Sequence, residues 1–359
     1  MFWVDLQYLY SQTDIFSMHR VILIIFIGAF WGCSGPSEPL PFQEVAIQEV
    51  YTDSVSIRAL EVMPGSVGFA GSDGLFGSMD LQNLKVRTQR MAYLEIFPEF
   101  RAVAHTSTDF FMLSAGDPAL LYKTGDSGTM ELVYQESGPG VFYDAMAFWD
   151  DANGIAIGDA MGGCLSILIS RDGGKHWSKI PCNRLPEALP GEGAFAASDT
   201  NIAIWGDFCW VASNKGRIYF SADKGETWKV RQSPVTSATD SFGLYSLAFY
   251  DAETGYAAGG DYTNPKGNLS NKISTSDGGK TWMLRAQGET PGYLSCVQFV
   301  PGRGGRELVG VSFNGIYYSK DSGQTWNLLD PEGFYSIRFT SDSVAVASGK
   351  GRIAKLRFK

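Results

Sequence analysis

The sequence predicts an all-β fold, a seven-bladed β-propeller of four-stranded antiparallel blades, from three observations: a repeated turn, its spacing and the small-aromatic strands between the turns. The turn reads Ser/Thr-x-Asp-x-Gly-x-Thr-Trp. Its copies run Ser170 to Trp177 (with His176 in place of Thr), Ser221 to Trp228, Thr275 to Trp282 and Ser319 to Trp326. A fifth copy, Thr124-Gly-Asp126-Ser-Gly128-Thr129-Met130, is one residue short and lacks the Trp. The Asp residues at 126, 172, 223, 277 and 321 are 46, 51, 54 and 44 positions apart, the period of a four-stranded blade.

Each copy is expected to be a hairpin turn. Its Asp accepts backbone N–H groups just downstream, and its Gly supplies a positive φ. The Trp (Trp177, Trp228, Trp282, Trp326) is expected to fill the gap between neighbouring blades. These roles are structural. Seven inner strands are expected at 56–60, 100–103, 143–148, 194–197, 245–249, 294–299 and 335–339, rich in small and aromatic residues. The last unit has only three strands, so residues 42–50 are expected to supply its fourth. Pairing the chain termini closes the ring without an exposed edge. Six blades is the alternative if the first unit, which has no turn of this kind, is overcounted.

The chain has 359 residues, 42 glycines, 13% aromatics and net charge −9, without a basic run. That excludes a phosphate-binding footprint, so no nucleic acid partner is expected. Residues 1–33 read as an export leader, with Met18 as a possible true start. Val21 to Trp31 is an apolar run of 11, too short to span a bilayer as a helix. Gly32-Cys33 and a Ser/Gly/Pro tether over 34–41 follow, and 42–359 is the propeller. The leader resembles a bacterial lipoprotein signal, with Cys33 as the lipidated residue. The protein is therefore expected to be an exported cell-envelope lipoprotein, a monomer that touches membrane only through its lipid, with a simple cleaved signal or an uncleaved anchor as the alternatives. Four cysteines remain in an oxidising compartment. Cys296 is expected to be a buried free thiol. One bridge among Cys164, Cys182 and Cys209 is open, with Cys182–Cys209 the favoured pair and three reduced thiols the alternative.

A second repeat, Gly-Asp, recurs at Asp117, Asp159, Asp207 and Asp261, read as the end of each second strand. The starts of inner strands carry Arg58, Arg101, Asp144 and Glu192. All eight are expected to gather at the channel mouth, on the face opposite the Trp-bearing turns. Arg58 and Arg101 there suit a carboxylate, and the acidic groups suit a cation or a basic partner group. Mutual neutralisation as scaffold is the competing reading.

The turns resemble the Asp-box, or BNR repeat, of sialidases. Longer phrases widen the resemblance: Glu99-Phe-Arg101-Ala-Val, Ser114-Ala-Gly-Asp117-Pro118-Ala, residues 141–150, 191–198, Gly259-Gly-Asp261-Tyr and 349–356. These are similar to a family of exported BNR-repeat proteins, itself similar to photosystem II stability/assembly factors. The resemblance implies a scaffold or assembly-factor-like propeller. Binding of a protein or glycan at the mouth is expected, without a cofactor or metal, since the chain has no nucleotide fingerprint or metal-ligand spacing. The fold alone also implies a sialidase-like glycoside hydrolase as the alternative. Sialidases need three arginines and a Tyr–Glu pair. Here Arg58 lacks the Pro of the sialidase Arg-Ile-Pro motif, and Arg338 lies two residues deeper in its strand. Tyr143, Tyr245, Tyr262, Tyr293 and Tyr335 are nucleophile candidates that read equally well as core. No catalytic residue is assigned.

Overall fold

The computed structural model describes residues 39–236 and 239–359. The leader, Cys33 and residues 34–38 of the tether lie outside the described residues. Among those described, the strands form six hydrogen-bonded sheets, five of four strands and one of six, all antiparallel. The count is six rather than seven. The reason is strand continuity at the closure. Val45–Met63 and Val344–Phe358 each run through what the sequence divides into two strands. Val45 to Thr52 pairs with Arg352 to Phe358, and Ile57 to Met63 pairs with Ser66–Gly71. The first and last repeat units therefore share one sheet, and the termini are tied together as expected.

The four complete turns join the third and fourth strands of their sheets. Their chemistry repeats with little variation. Ser170 Oγ donates to Asp172 Oδ1 (3.0 Å) and accepts from the Gly174 amide (2.9 Å). Asp172 Oδ1 accepts from the His176 amide, four residues on (3.0 Å). Asp223, Asp277 and Asp321 accept from Thr227, Thr281 and Thr325 in the same way. Each turn glycine has φ between +74° and +82°, where a side chain would be strained. The Trp177 indole N–H donates back to the Gly174 carbonyl at 3.1 Å, and Trp228 and Trp326 repeat this bond. Asp126 receives none of these bonds. Its shortened hairpin closes instead through Gly125 N–H to the Thr129 carbonyl.

The indoles are core. Trp177 meets Phe148 of its own sheet at 5.7 Å and Phe111 of the preceding sheet at 6.5 Å, both edge-on. Burying an aromatic side chain of this size contributes roughly 2–3 kcal/mol, more than any one turn hydrogen bond.

Two sequence expectations are corrected here. Residues 194–197 are not a strand. The first strand of that sheet is Ile202–Trp205, followed by Phe208–Ala212. The disulfide joins Cys164 to Cys182, with Cα atoms 5.4 Å apart, not Cys182 to Cys209. Leu168 pairs with Lys179. Continuing that antiparallel register brings Cys182 opposite the start of Cys164–Ser170. Cys209 is buried in mid-sheet opposite Ser221, and both Cys209 and Cys296 are free thiols.

Candidate functional site at the channel mouth

The residues displaced from the expected strand fill the channel. Residues 194–201 cross it as an irregular plug, and their polar groups reach the innermost strand of every other sheet. Arg58 Nη1 donates to the Ala197 carbonyl (3.3 Å) and Arg101 Nη1 to that of Ala196 (3.4 Å). Asp199 accepts from the amides of Val103 (2.8 Å) and Met146 (3.0 Å). Ser198 Oγ donates to the Ser295 carbonyl (2.6 Å), and Leu247 N–H donates to that of Thr200 (2.7 Å). Arg338 Nη2 donates to the carbonyls of Ser198 (3.2 Å) and Asp199 (3.1 Å). The stretch Gly191 to Ser198 is almost all Gly, Ala and Ser apart from Glu192 and Phe195, so it fits a bore too narrow for larger side chains. At its centre Asp199 turns the chain with φ +57°.

The plug divides the channel into two cups. The cup on the mouth face has a volume of about 420 Å³. Its floor is Ala194 to Ala197, and its wall carries Arg58, Arg101 and an arc of aromatic rings. Phe195 stacks on Tyr245 at 3.7 Å, Tyr245 meets Tyr293 edge-on at 4.9 Å, and Tyr293 stacks on Phe313 at 5.3 Å. The Arg58 guanidinium lies over the Tyr335 ring at 3.9 Å, a cation–π contact that holds the charge without consuming its N–H donors.

Local backbone geometry aims the arginines. The ladder slips by one residue at Arg58, Arg101, Asp144 and Tyr245, the same place in four first strands. A bulge of this kind re-aims the side chain and is common beside binding sites. Burial, and next the neighbouring Arg58 charge, lower the Arg101 pKa. Two like charges held close together favour an anion between them.

The other expected site residues separate. Asp144 and Asp159 lie together behind the plug. Burial and then the Asp159 charge push the Asp144 carboxyl well above the usual range, and burial pushes Asp159 up to about 6. The Ala194 and Ala196 amides face Asp144, but neither of its buried oxygens completes a well-formed hydrogen bond. Asp159 Oδ1 packs so closely on Gly193 that no side chain fits there. Glu192 is buried, in the irregular segment that precedes the strand Ile202–Trp205. It accepts from Arg217 (3.0 Å), Ser213 (2.7 Å) and Tyr219 (3.0 Å). Asp117 is exposed on a mouth-face loop. Asp261 caps its own turn by accepting from Thr263 N–H (2.8 Å). Asp207 is on the opposite face, 3.3 Å from Lys224 in a Trp-bearing turn. It occupies the first hairpin of its sheet, not the second, because the inner strand begins eight residues later than expected. Among the described residues, no group of three or more His, Cys, Asp or Glu is placed to hold a metal.

The second cup opens on the turn-bearing face, with a volume of about 360 Å³. Arg338, Asp199, and a Glu61–His105 pair at 2.7 Å line it. Asp199 and the Glu61–His105 pair have no place in the expectations drawn from the sequence. Arg338 enters them only as a third sialidase arginine, and it lies on the wrong side of the plug for that role.

No family model matches the chain, and no curated protein matches it. Solved structures do. A structure of YCF48 bound to D1 peptide matches with TM-score 0.62 at 14% identity, over 91% of this chain and 99% of that one. The chain is a β-propeller. A streptogramin B lyase matches with TM-score 0.66 at 12% identity, over 89% of this chain and 100% of that one. The GH74 xyloglucanase from Xanthomonas campestris matches with TM-score 0.61 at 13% identity, over 86% of this chain and 53% of that one. At these identities the likeness is one of fold.

Proposed function

We propose that this propeller is a non-catalytic binding module that seats a carboxylate-bearing protein segment or glycan in the mouth-face cup. The observation that carries the reading is the Arg58–Arg101 pair on bulges above an aromatic arc. Two guanidiniums with unspent donors suit a carboxylate, and the rings beside them suit an apolar side chain or a sugar face. The matched YCF48 structure holds a peptide, which favours the protein ligand. The family resemblance extends the proposal to a monomeric, scaffold-like BNR-repeat protein, exported and held at the cell envelope through a lipid on Cys33.

A hydrolase is the weaker reading, although a xyloglucanase shares the fold. Arg338 is spent on plug carbonyls below the floor. Tyr143 donates to Glu136 (2.6 Å), and Glu136 is in turn bound by Lys179 (2.7 Å). Burial, and then the bond to Glu136, raise the Tyr143 pKa, which is the wrong direction for a nucleophile.

A peptide array with free carboxylates and matched amides, alongside uronic-acid oligosaccharides, tests the proposal. Capture should require the carboxylate and be lost in Arg58→Gln/Arg101→Gln. Capture that ignores both changes would refute it.

A further inference from the structure

We infer that the cup on the turn-bearing face is a binding site for one uncharged sugar ring. The inner strands differ from one another at one place in this cup. Three residues past each of the four bulges stand Glu61, Ala104, Ala147 and Ala248. The corresponding residues on the other three inner strands are Ala203, Gln298 and Arg338. Alanine serves on four of the strands, so closing the ring needs nothing larger there. Gln298, Arg338 and Glu61 lie on strands that neighbour one another around the channel, and they make one side of the cup polar.

Arg338 is accounted for, because it ties down the plug. Glu61 and Gln298 are not. Glu61 Oε1 accepts from His105 Nδ1 (2.7 Å), and that bond raises the His105 pKa, so the two charges answer each other. Glu61 Oε2 remains for a ligand. Gln298 lines the cup, and its amide bonds to no other described residue. Together the two side chains offer acceptors and an N–H donor side by side. No cation is left to hold an anion, since Arg338 is spent on carbonyls and His105 on Glu61. A cationic ligand would meet both of those charges. The groups that suit this wall are hydroxyls.

The rest of the wall is apolar. Ala147, Ala203 and Ala248 line it with methyl groups. Trp205 extends it towards solvent, two residues beyond Ala203 on the same face of the strand, and it is the one exposed tryptophan among the described residues. A sugar ring has hydroxyls around its edge and C–H groups on its faces, which matches a polar side and an apolar one. The cavity of about 360 Å³ is at the small end of ligand sites, which run roughly 300–1,000 Å³. That is the scale of one ring.

The test is to titrate the full protein with methyl glycosides of glucose, galactose, mannose and N-acetylglucosamine, read by saturation-transfer NMR. At least one should bind saturably. Gln298→Leu, which removes the amide, and Ala248→Leu, which fills the cup, should each weaken that binding about tenfold or more. Both are checked for an unchanged thermal transition, and Glu61→Gln takes the place of either one that fails to fold. Arg58→Gln/Arg101→Gln changes only the mouth-face cup and should leave glycoside binding intact. Methoxycyclohexane, a ring of similar size without hydroxyls, should not compete. Absence of saturable binding by all four glycosides, binding that survives in the folded cup variants, loss in the double arginine variant alone, or equal competition by methoxycyclohexane would each overturn the inference.

Discussion

The two cups on either side of the plug contain the same kind of residue in opposite circumstances. Below it, Arg338 donates to Ser336 Oγ (3.0 Å) and to the carbonyls of Ile337 (3.1 Å), Ser198 (3.2 Å) and Asp199 (3.1 Å). Above it, Arg58 makes one plug bond of 3.3 Å, and its Nε is buried without a partner. Arg101 makes bonds of 3.4 Å to Ala196 and 3.5 Å to Glu99. A guanidinium has five N–H donors. Arg338 has committed most of its set at good distances, whereas Arg58 and Arg101 hold theirs in long, weak contacts at the edge of an open cup. The arginine that binds the chain tightly is structural, and the pair that binds it loosely is available to a ligand.

Asp199→Ala is the strongest way to break this contrast. It strands two buried amides, those of Val103 and Met146, and should cost about 3 kcal/mol, read as a fall in the denaturant midpoint. A loss well under about 1 kcal/mol would mean that the plug is not held from its centre. Arg338→Met should cost about 2 kcal/mol while leaving ligand capture intact. Arg58→Gln/Arg101→Gln should do the reverse, with capture lost and stability changed by less than about 1 kcal/mol.

The Asp144–Asp159 pair sharpens the comparison through pH. Both folded pKa values are raised. The fold therefore favours their protonated forms, and stability falls as pH rises from the ordinary carboxyl range through about 6, where Asp159 titrates. Asp144→Asn should remove part of that penalty. A thermal transition a few degrees higher at pH 7.5, with the gain shrinking towards pH 5, is the expected outcome. A pH-independent effect would place the penalty elsewhere.

Much of the architecture was legible because the Trp-bearing turn combines an Asp, a left-handed Gly and an indole at fixed spacing. Pattern could not show that Val45–Met63 and Val344–Phe358 would continue through their bends, so the separate first and last sheets merged into one. Ala194 to Ala197 misled because small residues serve a tight inner strand and a narrow plug equally well. Asp207 and Glu192 were misplaced as a consequence. Arg58 and Arg101 were legible as a pair. A finer signal was also present: Arg58-Ala59, Arg101-Ala102, Asp144-Ala145 and Tyr245-Ser246 each set the bulged residue before a small one. The bridge to Cys182 was within reach too, once Lys179 was paired with Leu168.

The most direct test of the mouth-face cup follows the guanidinium Nε–H signals of Arg58, Arg101 and Arg338 while a captured carboxylate peptide is titrated. The account predicts saturable shifts at Arg58 and Arg101, with Arg338 still. Shifts at Arg338 alone, or at none of the three while the peptide binds, would contradict it.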